Sequence, residues 1–415
     1  MSDQQPPLHL FAGIGIELEY MIVDRETLDV KPISDAILHA VTGDYSPEYL
    51  KPGICWSNEL ALHVIELKTG LPVDSLPAIL PLFEKDIRRI NAILADHNGL
   101  LLPSGAHPWM DPFTETRLWP HHYNEIYESY NRIFDCRGHG WSNLQSAHLN
   151  LPFGNDEEFG RLHAAIRLLL PILPALAAST PIIDGVVQPS IDHRLEVYRT
   201  NSQRIPSITG EVIPEPVFSH RDYDQEIFQR MYRDIAPHDP DEIMRDEWLN
   251  ARGAIARFDR SAIEIRVLDV QECPRADLAI AALIFATLRF LVEEGWADYA
   301  EQQRWPVAPL AKIFRDTVRE GEEALLTDPG YLRLFDCRAT TPLTAGDLWR
   351  HILARLRAAG LAPEDFAPEL QIILEQGPLA RRIRNRLGDD CSRPALAALY
   401  RELADCLAQG RLFLA

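Results

Sequence analysis

One segment near the start of the chain constrains the fold more than any other, because it alternates between apolar and acidic positions. In residues 12–24 every second residue is apolar, and an extended strand would place these residues on one side. They are Ile14, Ile16, Leu18, Tyr20 and Ile22. Glu17 and Glu19 fall on the other side, with carboxylates roughly 7 Å apart in an ideal strand. Like charges this close repel each other, so the acidic side needs a cation.

Three later segments share this design and also predict strands, at residues 60–69, 143–151 and 262–270. The second of them carries polar residues on one face, namely Ser146, His148 and Asn150. In the third, Glu264 and Arg266 share a face that opposes apolar neighbours. The first holds Glu66, and its odd spacing from Glu59 places Glu59 in the turn before the strand. Four strands therefore offer ionisable side chains on one face.

Helical periodicity separates these strands. Apolar residues recur at helical spacing over residues 75–97, 123–134, 157–178 and 275–299. Strands that are polar on one face are typical of an antiparallel sheet with one open side, whereas buried parallel strands show continuous apolar runs. We therefore predict an α+β fold in which a largely antiparallel sheet has one open, carboxylate-lined face and helices packed behind it.

The last quarter of the chain differs from the rest, because after about residue 305 the periodicity predicts helices only. We expect a catalytic domain over residues 1–304 and a helical C-terminal extension over residues 305–415 packed on it. Such an extension would close the domain or form a subunit interface, so a homodimer is one expected assembly.

The charge balance narrows the class of partner. Acidic residues outnumber basic ones by 61 to 41, which gives a formal net charge of −20 and a pI near 5.1. Nucleic acids and anionic membranes require a basic surface, so we expect neither as a partner. Six scattered cysteines without a Cys-x-x-Cys pair indicate free thiols, and the first residues lack the pattern of a secretory signal. The sequence therefore predicts a cytoplasmic protein.

Carboxylates with an occasional histidine suit magnesium or manganese better than zinc. Cations held on the open face could bridge the phosphates of ATP, which makes phosphoryl transfer the expected chemistry. Two other interpretations remain open. The carboxylates could be solvated residues of an exposed sheet face, or His63 and Glu66 could form a zinc site with His148. Residues three apart on a strand face opposite ways, which makes a zinc hydrolase the weakest alternative.

The order of short motifs along the chain resembles that of the plant-type glutamate–cysteine ligases and the related bacterial carboxylate–amine ligases. The opening strand, Gly15-Ile16-Glu17-Leu18-Glu19-Tyr20, is similar to the Gly-x-Glu-x-Glu strand of that family. Further matches keep the family's order, at Glu59 with Glu66-Leu67-Lys68-Thr69, Gly105-Ala106-His107-Pro108, His148-Leu149-Asn150, Ala178-Ser179-Thr180-Pro181 with Asp184-Gly185, Tyr198-Arg199, and Glu264-Ile265-Arg266-Val267-Leu268-Asp269. The resemblance covers residues 10–300 and leaves the helical tail unaccounted for.

This resemblance implies a glutamine-synthetase-like catalytic sheet on which Mg²⁺, or Mn²⁺, holds ATP. The γ-carboxylate of glutamate would attack the γ-phosphate, and an amine would then displace phosphate from the acyl phosphate. L-cysteine is the leading amine, and the same chemistry with another amine is the first alternative. The metal cluster that the resemblance implies consists of Glu17, Glu19, Glu59, Glu66, His148 and Glu264.

The resemblance also implies a role for each position. The catalytic residues would be Glu17, Glu66, Glu264 and Arg266, and the cofactor would be bound by Glu19, His148, Asn150 and Arg266. Arg194 and Arg199 resemble the arginines that meet the substrate carboxylate, a task for which a guanidinium fork is suited. A non-catalytic binding protein that kept the fold is the remaining alternative, and the intact carboxylates argue against it.

Overall fold

The computed structural model describes residues 7–339 and 341–415, and a central sheet of eight strands organises the chain. The strands of the described residues are β1 (Gly15–Asp24), β2 (Glu48–Tyr49), β3 (Ile54–Asn58), β4 (Val64–Thr69), β5 (Gly99–Leu102), β6 (Ser146–Pro152), β7 (Ile182–Ile183), β8 (Val186–Val187), β9 (Ala254–Arg257), β10 (Ala262–Asp269), β11 (Leu325–Leu326) and β12 (Leu343–Thr344). The central sheet has the order β2-β3-β4-β1-β6-β10-β9, and β5 also pairs with β1. Its strand pairs are antiparallel, as predicted.

Helices fill the connections between these strands and most of the last quarter of the chain, where the sequence predicts helices only but β11 and β12 form a short antiparallel pair. The α-helices of the described residues are α1 (Ser34–Thr42), α2 (Leu76–Ala95), α3 (Pro112–Glu115), α4 (Asn124–Phe134), α5 (His139–Ser142), α6 (Asp156–Leu169), α7 (Pro174–Ala177), α8 (His193–Tyr198), α9 (His220–Tyr223), α10 (Gln229–Ile235), α11 (Pro274–Val292), α12 (Tyr299–Gln303), α13 (Val307–Glu320), α14 (Pro329–Arg333), α15 (Ala345–Ala358), α16 (Ala367–Gln376), α17 (Leu379–Leu387) and α18 (Arg393–Gln409). None of these helices is long and apolar enough to cross a membrane.

Prolines divide the helix that the periodicity predicts over residues 157–178. The first part, α6, ends at Leu169, and a 3₁₀ turn over Leu170–Ile172 leads into α7. Pro171 and Pro174 lie at this break. The helix is interrupted here because a proline has no N–H to donate to the helical hydrogen bonds.

The apolar side of β1 explains why helices cover one face of the sheet. Ile16, Leu18 and Tyr20 are no more than 1% exposed and lie in one core with Phe83 of α2 and Leu283 of α11. Burying this stripe removes apolar surface from water, which is the dominant favourable contribution to folding. The predicted antiparallel sheet with helices packed behind it is therefore confirmed.

The acidic side of β1 is open over only part of its length. Glu19 lines a cavity, whereas Met21 and Val23, which share its face of the strand, lie in a second hydrophobic core. That core includes Leu387 of α17 and Tyr400 of α18. The C-terminal helices thus cover one end of the carboxylate-bearing face and leave the other end free.

The helices after residue 305 are joined to the sheet through shared cores. Leu310 of α13 and Trp349 of α15 belong to the same hydrophobic core as the apolar side of β1. Arg382 of α17 lies 2.5 Å from Glu272, which follows β10, and the backbone N–H of Phe413 donates to the same carboxylate at 3.1 Å. The extension is therefore packed on the catalytic part of the chain, and a domain boundary at residue 304 stays a prediction.

Candidate active site

A cavity of about 380 Å³ opens above the free part of the acidic face. Its floor includes Glu19 of β1, His148 of β6 and Arg266 of β10. Its walls are rich in aromatic side chains, namely Tyr123, Tyr127, Tyr130, Trp141, Tyr198 and Trp248. A concave apolar wall that meets a few convergent charged groups is the composition expected of a small-molecule site.

Cross-strand register brings the carboxylates of β1 and β4 together. Glu17 lies opposite Lys68 of β4 and His148 of β6, and Glu19 lies opposite Glu66 of β4. Directly opposed residues of an antiparallel pair have Cβ atoms about 5 Å apart, so this register alone gathers the charged side chains. The acidic residues that the sequence placed on one face are thereby neighbours in space.

Hydrogen bonds from β6 hold the two β1 carboxylates in fixed directions. Nδ1 of His148 lies 3.0 Å from Oε2 of Glu17, and the side-chain amide of Asn150 donates to Oε1 of Glu17 at 3.0 Å. Oε2 of Glu19 accepts hydrogen bonds from the backbone N–H and the hydroxyl of Ser146, at 2.7 and 3.0 Å. The polar residues predicted on β6 therefore serve to orient Glu17 and Glu19.

Two groups of three side chains converge closely enough to hold a metal ion. One consists of Glu17, Glu66 and His148, and the other consists of Glu19, Glu59 and Glu66. Within each group, the candidate ligand atoms lie within 4.8 Å of one another. Glu59 reaches its group from the loop between β3 and β4, where its spacing from Glu66 predicts it. Glu66 belongs to both groups, so the two candidate positions are adjacent.

The electrostatics of the second group show a need for positive charge. Burial raises the pKa of Glu59 well above its ordinary value, and the neighbouring charges of Glu19 and Glu66 raise it further. Burial also raises the pKa of Glu19, and the opposing effect of His148 does not cancel this rise. A divalent cation among these oxygens would remove the repulsion, and carboxylate oxygens are its preferred ligands. The residues present therefore fit a divalent metal ion.

Glu264 and Arg266 lie at the margin of the first group. Nε of Arg266 is 2.9 Å from Oε1 of Glu264, and Nδ1 of His148 is 3.8 Å from the same oxygen. Burial opposes ionisation of Glu264, but these two cationic neighbours hold its pKa below the ordinary value. Glu264 is thus paired with fixed protein charges and does not join either three-residue group.

The two arginines that the resemblance assigns to substrate binding differ in position, because one lines the cavity and the other does not. Arg194 lines the cavity and is held from behind, because its Nε donates to Asp269 and its Nη2 donates to the backbone oxygen of Arg266 at 3.2 Å. Arg199 does not line the cavity, and its side chain, which is 39% exposed, pairs with Glu196. Of the two arginines, only Arg194 is placed to meet a ligand in the cavity.

Comparison with known proteins assigns the family. The model of a family described as glutamate-cysteine ligase family 2 matches residues 13–402. The chain belongs to this family. It is therefore a ligase, and the resemblance seen in the sequence motifs is confirmed; the match also covers most of the helical tail, which the motifs left unaccounted for. The family and the site together support an ATP-dependent carboxylate–amine ligase.

Relatives of the ligase extend over most of its length. A protein from Archaeoglobus fulgidus that carries no functional name is 31% identical over 402 residues, which is 97% of this chain and 100% of that protein. A protein from Paracoccus denitrificans, provisionally named glutamate–cysteine ligase 2, is 26% identical and covers 85% of this chain and 94% of its own length.

Two solved structures share the fold of the ligase. Glutamate–cysteine ligase from Francisella tularensis, in complex with AMP, has a TM-score of 0.60 at 14% identity and covers 94% of this chain and 88% of its own. A bifunctional glutathione synthetase from Pasteurella multocida has a TM-score of 0.57 at 14% identity and covers 95% of this chain and 52% of its own. At such low identity the likeness shows the fold alone, which agrees with the predicted α+β architecture.

Two further residues contact Glu66 in the ligase site, and the sequence did not predict a role for either. Nζ of Lys68 lies 2.9 Å from Oε2 of Glu66, and the hydroxyl of Ser57 donates to that same oxygen. Lys68 could have been found from the sequence, since it follows Glu66 by two positions and so shares its face of β4. Ser57 carried no such signal, because β3 was not among the predicted strands.

The zinc alternative finds no support among the described residues. His63 is fully buried, and it joins neither group of candidate ligands. Burial lowers the pKa of its imidazole to about 4. His63 lies in the turn before β4, whereas Glu66 lies within the strand.

Proposed function

We propose that the ligase joins the γ-carboxylate of glutamate to an amine, coupled to the cleavage of ATP, through an acyl phosphate. The observation that carries this proposal is the pair of adjacent ligand groups that share Glu66, of which Glu19, Glu59 and His148 line the cavity together with Arg266. A site of this kind can bind a negatively charged nucleotide even though the chain carries a net charge of −20. The family membership supports the same chemistry.

The carboxylates of the two groups would hold Mg²⁺ or Mn²⁺, which supplies positive charge to the phosphates when bound. His148 and Asn150 keep Glu17 directed toward the first position, and Ser146 does the same for Glu19 at the second. Because these side chains are already oriented, little reorganisation is needed when the charged reactants arrive.

Arg266 is the fixed protein cation beside this floor. Its guanidinium lines the cavity while it remains paired with Glu264, so it can stabilise negative charge that develops on the transferred phosphate. In the first step a γ-carboxylate oxygen of glutamate attacks the γ-phosphorus of ATP, and ADP leaves. The electron pair of the broken P–O bond departs with ADP.

Arg194 would meet the α-carboxylate of glutamate. Arg194 is a lining residue of the cavity, and Asp269 and the backbone oxygen of Arg266 hold its guanidinium in place. In the second step the amine nitrogen attacks the acyl carbon, inorganic phosphate leaves, and the amine gives up a proton as the amide forms. L-cysteine is the first acceptor to test, because the sequence resemblance suggests it.

The test is an assay of ADP release with glutamate, Mg²⁺ and a panel of amines, read together with the mass of the product. We expect ADP and the γ-glutamyl amide in equal amounts. Hydroxylamine should trap the acyl phosphate as a hydroxamate, and ¹⁸O placed in the γ-carboxylate should appear in inorganic phosphate. Folded protein that releases no ADP with any acid–amine pair would disprove the proposal.

A further inference from the structure

The ammonium group of Lys68 is paired with carboxylates of the acidic cluster. Its Nζ is 2.9 Å from Glu66 and 3.3 Å from Glu48 of the edge strand β2, and the residue stands opposite Glu17 in the register of β1 and β4. The side chain is 27% exposed. Carboxylates from two strands therefore pair with this one positive charge, and Glu17 of a third strand lies opposite it in the sheet.

Lys68 shares its contact on Glu66 with a second residue, and both bind the same carboxylate oxygen. Oε2 of Glu66 is taken by both Lys68 and the hydroxyl of Ser57, which lies opposite Glu66 in the register of β3 and β4. Oε1 has no hydrogen-bond partner among the residues that the structure describes. Since Glu66 is the residue common to both ligand groups, the fixed Oε2 leaves Oε1 available to the shared position.

We propose that Lys68 is a built-in cation of this ligase. Its ammonium occupies a position between Glu17, Glu48 and Glu66 that a further divalent ion would otherwise take, and it orients Glu66 for the two neighbouring groups. The inference rests on the proposed two-position metal site. It adds that the acidic face binds two divalent ions per chain and that a protein side chain supplies the remaining positive charge.

A matched lysine in the same region allows a controlled test. Lys51 is also partly buried, with 20% of its side chain exposed, and its Nζ lies 2.5 Å from Asp86 of α2, on the apolar side of the sheet. Lys68→Met removes the ammonium but keeps the stem, and Lys68→Arg keeps a positive charge. Lys51→Met removes a comparable ion pair outside the proposed site.

The primary measurement counts bound Mn²⁺ per chain, from the loss of the free-ion signal in electron paramagnetic resonance during a titration without substrate. The wild type, Lys68→Arg and Lys51→Met should bind the same number, and Lys68→Met should bind one more. An unchanged number in folded Lys68→Met would overturn the proposal. Because this count needs no turnover, it is independent of whether the proposed reaction occurs.

Ser57→Ala tests the orientation of Glu66 separately, and it gives an answer even if Lys68→Met does not fold. It removes one of the two bonds to Oε2 and leaves the ammonium in place. We expect the same number of Mn²⁺ ions with an affinity lowered by about tenfold, the size typical of losing a group that orients a metal ligand. An unchanged affinity would show that Glu66 is not held in this way.

The metal dependence of turnover gives a third readout. ADP release by Lys68→Met should need a higher Mn²⁺ concentration for half-saturation than the wild type, and excess Mn²⁺ should restore part of its kcat. Lys51→Met should match the wild type. A kcat that stays low in Lys68→Met at all metal concentrations would contradict the role of a replaceable cation.

Discussion

Two halves of the same side of β1 have opposite surroundings. Glu17 and Glu19 stand in an acidic cluster beside a cavity, whereas Met21 and Val23, next along the same face, are fully buried under α17 and α18. The backbone is one continuous strand, so the difference lies in the side chains and in what covers them. Alternation decides which side of a sheet a residue occupies, and a distant segment decides whether that side is open.

The largest effect on stability should follow from placing a further carboxylate on β1, in the part of its face that α17 and α18 cover. Met21→Glu would put an unpaired carboxylate under the C-terminal helices, and we expect it to lower the free energy of unfolding by about 5 kcal/mol. Urea denaturation followed by circular dichroism measures this loss. Met21→Leu, which keeps the volume, is the control and should cost less than about 1.5 kcal/mol. A loss for Met21→Glu no larger than that of the control would show that this end of the face is not tightly covered.

Removing charge from the open half should affect chemistry and spare stability. Glu17→Gln takes a ligand from the first metal group, and we expect kcat to fall by about 10³-fold, or ~4 kcal/mol of transition-state stabilisation. The melting temperature should stay close to that of the wild type. Asp24→Asn is the control, because Asp24 lies on the same strand and accepts hydrogen bonds from Glu26 and Thr27 away from the site. Near-normal turnover in Glu17→Gln would show that the metal groups are wrongly assigned.

A smaller effect is expected from pH, which should change the stability of the fold and the amount by which Mg²⁺ raises it. The pKa values of Glu19 and Glu59 are raised in the folded protein, mainly by burial. At these two groups the folded state therefore holds protons that the unfolded state has already lost, so their contribution to stability falls as pH rises above the ordinary carboxyl pKa of 4.5. A divalent ion binds the deprotonated carboxylates and offsets this loss, which predicts that Mg²⁺ raises the melting temperature more at high pH than at low pH.

Differential scanning fluorimetry between about pH 5.5 and pH 8, with and without Mg²⁺, measures this dependence. The thermal shift should grow with pH in the wild type and should be smaller and flatter in Glu59→Gln. A thermal shift of constant size across this range in the wild type would contradict the assignment of the raised carboxyl pKa values to a metal site.

The composition of the open face could be predicted because it depends on local alternation. Glu17 with Glu19, His148 with Asn150, and Glu264 with Arg266 share faces since each pair is two residues apart on a strand. The ordered motifs added the family, which the match over residues 13–402 confirms. The specific roles of these residues stay predictions.

The remaining features depend on contacts between distant parts of the chain. No local pattern says that Tyr400 of α18 shares a hydrophobic core with Met21, or that Arg194 pairs with Asp269 while Arg199 pairs with Glu196. The strands β3 and β5 were also missed, because each is five residues or shorter and has too few positions to show a period.

The distribution of the site along the sequence has a consequence for how it forms. Its residues come from β1, β4, β6 and β10, and so from positions between Glu17 and Arg266. Pairings between such distant segments are slow to form. The long loops between them must close first, and the chain loses conformational entropy before the new contacts stabilise it. No short fragment can hold the two ligand groups. Metal affinity should therefore appear during refolding only when the whole sheet has assembled, so a bound Mn²⁺ ion would report on completed folding.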